Sequence, residues 1–137
     1  MKLECSRYFA GYIDHISSTV YISDVRNRNS FKANALWDTG ARSCAISKKV
    51  YDELALNFLD TKQIHCASGP MNVAFGVTMI KLSINGREHL IKPIVLDNIM
   101  AGKYDVVIGM SLIRQGDFHL KFNPDENKTE FEFYMPD

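Results

Sequence analysis

The sequence predicts an all-β fold, a barrel or a sandwich, with one or two short helices. Two observations support this prediction. Apolar and β-branched residues recur in many short runs, and polar turn signals separate these runs. The chain is 137 residues long and has neither an internal repeat nor a low-complexity tract. We therefore expect a single domain spanning residues 1–137.

The first predicted hairpin precedes the most informative motif of the chain. Ile16–Asp24 is rich in β-branched and aromatic side chains, and the polar residues 27–29 suit a turn. The second strand, over residues 31–37, ends in apolar residues and leads directly into Asp38. The hairpin therefore delivers a carboxylate at the end of an apolar strand.

A short helix and a turn are predicted next. Ser47 suits a helix N-cap, and Val50 and Leu54 lie four residues apart, so their side chains share one helical face over 47–56. Residues 66–71, with their Gly-Pro pair, predict a turn or loop tip.

A second hairpin is predicted around Asn85-Gly86. Both residues tolerate a positive φ, which the tight turns of hairpins require. The flanking segments 73–84 and 89–96 are apolar enough to be its two strands.

The last third of the chain contains three further predicted strands. Residues 104–108 are apolar apart from one aspartate and suggest a buried strand. Residues 111–115 suggest a helical turn that Gly116 closes in the left-handed conformation. Residues 118–122 and 129–134 form a final hairpin, and the latter strand alternates Phe with Glu, so one face is apolar.

Composition excludes several classes of function. Lys and Arg together number 16, as do Asp and Glu, so the chain lacks the basic field of a nucleic-acid-binding protein. It also lacks an apolar stretch long enough to span a membrane. The first residues carry no secretory signal, and the three cysteines form no CxxC pair, so we expect a cytoplasmic protein without disulfides. No metal or organic cofactor is implied.

The candidate chemistry lies in Asp38-Thr39-Gly40. Gly40 lets the backbone approach closely, so that amide N–H groups can point at the Asp38 carboxylate. Taken alone, the tripeptide is more often a simple turn in which Asp accepts a local hydrogen bond. Its position after an apolar strand favours a functional carboxylate, because a turn aspartate does not need a buried strand in front of it.

Three segments together resemble the retropepsin family of aspartic proteases, in its single-domain bacterial and cellular form. Asp38-Thr39-Gly40-Ala41 resembles the catalytic signature, and residues 68–70 lie where that family places its flap. Val107-Ile108-Gly109 resembles the element that threads beneath the active site. The resemblance implies a closed, barrel-like acid-protease fold and an aspartic-type endopeptidase acting on peptides or proteins.

The resemblance implies a mechanism that requires two aspartates, which hold a water and share one proton. The chain contains no second Asp-Thr-Gly or Asp-Ser-Gly; the nearest sequence, Asp60-Thr61, is followed by Lys62. A homodimer in which Asp38 meets its own copy would therefore complete the dyad.

Roles follow from the resemblance. Asp38 is the acid or base, Thr39 braces the two active-site loops across the dimer axis, and the Gly40 amide helps to hold the carboxylate. Gly69 gives the flap its mobility. The expected substrate-binding residues are Ala41, Ala67, Ser68, Gly69, Pro70, Met71, Val107 and Ile108.

Two departures and two rival functions accompany this interpretation. Viral members place an arginine where Met110 stands, and their interlocking terminal strands have no match here, so strand 129–134 is a candidate for the dimer interface.

The first rival is a non-catalytic dimerisation or peptide-binding module with the same fold. The second is an unrelated small β-barrel binder in which Asp38 belongs to an ordinary turn.

Overall fold

The computed structural model describes the backbone of residues 1–56, 58–66, 69–76 and 79–137, and the side chains of residues 1–56, 69 and 79–137. These residues form an all-β fold with two short helices, as predicted. The helices are α1 (Lys48–Glu53) and α2 (Met110–Ile113). The strands are β1 (Lys2–Ala10), β2 (Ile16–Asp24), β3 (Ser30–Trp37), β4 (Ala45–Ser47), β5 (Phe58–Cys66), β6 (Gly69–Gly76), β7 (Ile80–Ile84), β8 (Arg87–Ile91), β9 (Ile94–Leu96), β10 (Val106–Ile108), β11 (Asp117–Asn123) and β12 (Lys128–Met135).

The strands form two sheets. The larger one has the order β5-β6-β9-β4-β10-β3-β2-β7-β8, and the smaller one has the order β1-β12-β11. Most neighbours are antiparallel, but β10 runs parallel to β3, and β4 runs parallel to β9. The three strands β3, β10 and β4 therefore lie side by side at the centre of the larger sheet, although β10 follows much later in the sequence.

The two sheets pack face to face through aromatic side chains. Phe131 and Phe133 on β12 are fully buried, which confirms the predicted apolar face of strand 129–134. Both rings contact Trp37 at the end of β3, with ring centroids 5.0 Å apart in each case. Burying side chains of this size stabilises the fold by about 2–3 kcal/mol each.

The strands β4 and β10 and the last three residues of β3 are buried on both faces, which explains the continuous apolar sequence of residues 35–37 and 106–108. On β3, Trp37 packs into the main core, and Leu36 packs into a second, smaller cluster on the opposite face. On β10, Ile108 faces the main core and Val107 the second cluster. The second cluster consists of Leu36, Ala45, Ile94, Ile99, Tyr104 and Val107.

Two local predictions, the Ser47 cap and the Asn85-Gly86 turn, are confirmed. Ser47 caps α1, where its hydroxyl accepts a hydrogen bond from the Val50 N–H at 3.3 Å. Asn85 and Gly86 form the turn between β7 and β8 with φ of 49° and 85°.

Several predicted strands have different bounds. The segment 89–96 is two strands, because Pro93 separates β8 from β9 and has no N–H to give to a sheet. The segment 73–84 is likewise divided between β6 and β7. Strands β1, β4 and β5 were not predicted.

Gly116 does not adopt the left-handed conformation, so that prediction is wrong. The glycines with positive φ in the described chain are Gly11, Gly69, Gly86 and Gly102. A Cβ on Gly116 would lie 2.1 Å from the carbonyl oxygen of Tyr134, so close approach to β12 requires the glycine.

Strand 129–134 cannot extend a sheet into a second copy, because β12 already pairs with β1 on one side and with β11 on the other. The exposed edges of the smaller sheet belong to β1 and β11. Among the described residues, no helix is long and apolar enough to cross a membrane.

Candidate active site

Asp38 is the first residue after β3, and the neighbouring strand β10 fixes its backbone. The Asp38 N–H donates a hydrogen bond to the carbonyl oxygen of Ile108 at 2.9 Å. The parallel pairing of Trp37 with Ile108 continues into this bond. The position of the carboxylate is therefore set by β10 and by the buried end of β3.

The residues after Asp38 form a tight turn around its side chain. The Gly40 N–H donates to Asp38 Oδ1 at 2.8 Å, and the Ala41 N–H donates to the Asp38 carbonyl oxygen at 3.2 Å. A Cβ on Gly40 would lie 3.2 Å from the same Oδ1 atom, so a larger residue would crowd the carboxylate. The Asp38 side chain remains partly exposed, and Thr39 beside it is exposed.

The loop 41–43 rests on Gly109. A Cβ there would lie 2.4 Å from the carbonyl oxygen of Ser43, which only a glycine avoids. The N–H groups that follow Gly109 hold the same loop: Met110 donates to Ala41 at 2.7 Å, and Ser111 donates to Arg42 at 2.9 Å. The segment 107–109 thus lies beneath the Asp38 loop.

The hairpin β5–β6 lies where the flap was predicted. Its last backbone pair joins Cys66 to Gly69, and Ala67 and Ser68 between them lie outside the described residues. The connection between the two strands is consequently shorter than the predicted turn over 66–71, because Pro70 and Met71 belong to β6. Gly69 has a φ of 110°, a conformation that side chains rarely adopt.

Pairing within the larger sheet connects this hairpin to the Asp38 loop. Phe75 of β6 pairs with Ile94 of β9, and Ala45 of β4 pairs with the same residue of β9. Because β4 follows directly on the loop 41–43, the hairpin and the candidate site are joined through two strands.

The structure brings together Asp38, Thr39, Gly40 and Ala41 with Val107 and Ile108. Ala41 packs partly buried against the second cluster, and Val107 is 7% exposed within it. Ile108 is 0% exposed, so its side chain cannot touch a ligand. Its contribution to the site is the carbonyl oxygen that accepts the hydrogen bond from the Asp38 N–H. Contact of these residues with a substrate stays a prediction.

A scan against protein-family models matches residues 25–115 to the family described as gag-polyprotein putative aspartyl protease. The chain belongs to this family of retropepsin-like aspartic proteases. The match begins in the turn before β3 and ends after α2, and therefore spans Asp38, the β5–β6 hairpin and Gly109. No curated protein sequence matches the chain.

Solved structures show the same fold. A retropepsin-like aspartic protease from Rickettsia conorii is 19% identical, with a TM-score of 0.57, over 99% of this chain and 98% of that one. EIAV protease complexed with the inhibitor HBY-793 is 20% identical, with a TM-score of 0.51, over 74% of this chain and 86% of that one. The predicted retropepsin fold is confirmed.

The retropepsin-like site has one structural residue that sequence reasoning did not assign to it. Asp105 Oδ2 accepts a hydrogen bond from the Asn34 N–H at 3.0 Å, and the Asp105 N–H donates to the Asn34 carbonyl oxygen at 2.9 Å. The Asp105 carbonyl oxygen accepts from the Ser47 N–H at 2.9 Å. Asp105 thereby aligns β10 between β3 and β4. The available signal was an acidic residue inside an otherwise apolar run.

In the described part of this family member, no three His, Cys, Asp or Glu side chains are grouped so that they could hold a metal ion. The buried carboxylate of Glu4 instead faces His89 Nε2 and lies 3.5 Å from Arg87 Nη1. This ionic cluster joins β1 to β8, away from the Asp38 loop.

Proposed function

We propose that the protein is an aspartic endopeptidase whose catalytic dyad is formed by Asp38 of two identical chains. The observation that supports this most strongly is the setting of Asp38. Its backbone is held by Ile108 of a buried strand, one carboxylate oxygen accepts from the Gly40 N–H, and the side chain stays partly exposed. Membership of the retropepsin-like family supports the same assignment.

The homodimer follows from the chemistry and from the sequence. Peptide hydrolysis of this type needs two carboxylates about 3 Å apart, which share one proton because both cannot ionise at that distance. A single chain contains one Asp-Thr-Gly triplet. A two-fold axis beside Asp38 would supply the second carboxylate from an identical loop.

The proposed reaction uses one water and the shared proton. The ionised carboxylate takes a proton from the water as its oxygen bonds to the peptide carbonyl carbon. The protonated carboxyl donates a hydrogen bond to the carbonyl oxygen and stabilises the charge that develops there. Protonation of the leaving nitrogen then breaks the C–N bond, and the dyad returns to its single-proton state.

The remaining predicted residues surround this centre in the proposal. Thr39 is exposed, and its side chain has no partner within the described chain, which leaves its hydroxyl available to brace the second copy. The hairpin that carries Gly69 would close over the peptide and pair with it as an added strand. The proposed substrate contacts are Ala41, Ala67, Ser68, Gly69, Pro70, Met71 and Val107.

We further propose that residues 1–137 form one domain. The main core cluster contains Cys5 near one end of the chain and Met135 near the other, together with residues of the central strands. Because a domain has its own hydrophobic core, one core that contains residues from both ends of the chain supports a single domain.

The test combines oligomeric state with cleavage. Wild type, Asp38→Asn and the control Asp125→Asn, which changes an exposed turn carboxylate, are compared by light scattering and by cleavage of a peptide library from acidic to neutral pH. We expect a dimer in all three, with cleavage lost only in Asp38→Asn. A dimer that never cleaves would favour the non-catalytic binding module. A monomer at high concentration would contradict the shared dyad.

A further inference from the structure

The loop that follows Asp38 exposes a cation beside the candidate site. Ala41 packs partly buried against the second cluster, and Cys44 is 1% exposed in the main core. Between these two anchored residues, Arg42 is exposed. Ala41 and Cys44 are therefore packed against the protein, whereas Arg42 is exposed to solvent, as are Thr39 and Gly40 earlier in the same loop.

The backbone of Arg42 is fixed, and its guanidinium group is free. The Arg42 carbonyl oxygen accepts a hydrogen bond from the Ser111 N–H at 2.9 Å, and the preceding residue is held by Met110. Within the described residues, the Arg42 side chain has neither an ion pair nor a hydrogen bond. A cation that extends from a fixed backbone and has no partner among the described residues of its own chain is suited to bind a charge on another molecule.

Chain geometry places Arg42 within reach of a peptide bound at Asp38. The hydrogen bond from the Ala41 N–H to the Asp38 carbonyl oxygen closes a turn, and the ends of such a turn lie less than about 7 Å apart. Arg42 is one residue further, about 3.8 Å along the chain. An extended peptide advances about 3.3 Å per residue. The guanidinium can therefore meet a substrate side chain about two to four residues from the cleaved bond.

We infer that Arg42 is a specificity-determining residue that selects substrates with an acidic side chain near the cleaved peptide bond. This inference rests on the proposed function. The planar guanidinium of an arginine can donate two parallel hydrogen bonds to a carboxylate. A dyad that carries about one negative charge repels an acidic substrate, and a nearby arginine offsets this repulsion. Two-fold symmetry places one Arg42 on each side of the cleaved bond.

The test compares peptides that differ only in charge. Decapeptides with an apolar centre carry either Glu or Gln, which has nearly the same shape, at each position in turn on both sides of the centre. Cleavage is measured with wild type, Arg42→Ala, Arg42→Glu and the control Arg26→Ala. Arg26 is also exposed and lacks an ion pair in the described chain, but it lies in the turn between β2 and β3.

We expect wild type and Arg26→Ala to prefer Glu over Gln by about fivefold at one or more positions, which is typical of a partly exposed ion pair. Arg42→Ala should reduce the ratio to about one, and Arg42→Glu should invert it. The wild-type preference should also shrink as salt is added, because salt screens exposed charges.

Binding of the same fluorescent peptides to Asp38→Asn, with and without Arg42→Ala, separates this inference from the proposed function. If wild type cleaves peptides but prefers Glu no more than Arg42→Ala does, the inference is overturned and the protease assignment stands. If no peptide is cleaved, the protease assignment fails, and a binding preference that depends on Arg42 still supports the inference. Equal binding of Glu and Gln peptides in that case overturns both. A monomeric Arg42→Ala would assign the arginine to the dimer interface instead, which also overturns the inference.

Discussion

The indole N–H of Trp37 donates a hydrogen bond to Ser18 Oγ over 2.9 Å, and both residues are buried. This bond crosses from β3 to β2, one residue before Asp38. The same indole packs against both Phe131 and Phe133 of the smaller sheet. Trp37 therefore connects the two sheets, and it fixes the strand end that carries the candidate catalytic residue.

We expect Trp37→Phe to lower the free energy of unfolding by about 2–3 kcal/mol, because the ring becomes smaller and Ser18 Oγ is left buried without its donor. Urea unfolding followed by far-ultraviolet circular dichroism measures the change. Ser18→Ala and the double variant complete a double-mutant cycle. A coupling free energy of about 1 kcal/mol is expected between the two positions, and additive effects would show that the hydrogen bond adds nothing to stability.

Gly109→Ala should abolish the proposed peptide cleavage and destabilise the protein by at least about 2 kcal/mol, because backbone atoms of Ser43 and Ala41 occupy the space that the new methyl group needs. Thermal unfolding and peptide cleavage measure the two effects. Gly102→Ala is the matched control. Gly102 has a φ of 85° and open space around its Cβ position, so its replacement should cost only about 1 kcal/mol of backbone strain. Equal effects of the two variants would contradict the close packing of the loop 41–43 on Gly109.

Asp24 should make the stability of the fold depend on pH. Hydrogen bonds from the Asn29 N–H and from Arg28 Nε to its carboxylate lower the pKa of Asp24. A lowered folded-state pKa contributes stability that is complete above the unfolded-state pKa, about 3.9, and that is lost as the pH falls through the folded-state value. Asp24→Asn should therefore be less stable than wild type at neutral pH, and the difference should narrow below about pH 4.

Urea unfolding at several pH values measures that difference. Asp52→Asn is the matched control, because Asp52 is exposed in its pair with Lys48, and exposed pairs contribute little. A difference between wild type and Asp24→Asn that stays constant into the acidic range would contradict the assigned role of Asp24.

The buried cysteines should resist alkylation in the folded protein. Cys5 is 4% exposed and Cys44 is 1% exposed. Burial raises the pKa of the Cys5 thiol, which leaves little reactive thiolate at neutral pH. Mass spectrometry after iodoacetamide treatment of Cys66→Ala should show both thiols unmodified in buffer and modified in urea. Rapid alkylation in buffer would mean that the core opens frequently.

The features that could be predicted from the sequence are those that depend on neighbouring residues. The Asn85-Gly86 turn and the Ser47 cap are local, so their chemistry is visible in a few consecutive letters. The Asp38 triplet could be assigned because the resemblance includes a second segment, 107–109, in the right order. In each case, the decisive residues lie close together or belong to a known pattern.

The features that were missed depend on partners far away in the chain. Strand β1 contains Lys2, Glu4 and Arg7, and its polar sequence gives no strand signal without β12 beside it. Gly116 was assigned to a local helix end, but its requirement comes from the carbonyl oxygen of Tyr134 on β12. The hydrogen bond from the Asp38 N–H to the Ile108 carbonyl oxygen likewise forms only because β3 pairs with β10, which lies far away in the sequence.

The placement of β10 between β3 and β4 also determines when the site can form. The hydrogen bond between Asn34 and Asp105 joins residues 71 positions apart. Contacts of such separation form slowly, because a long loop must close before they stabilise anything. During synthesis, Asp38 leaves the ribosome long before the strand that holds it. The geometry of the candidate active site should therefore form late in folding, only once residue 109 is free to pack beneath the Asp38 loop.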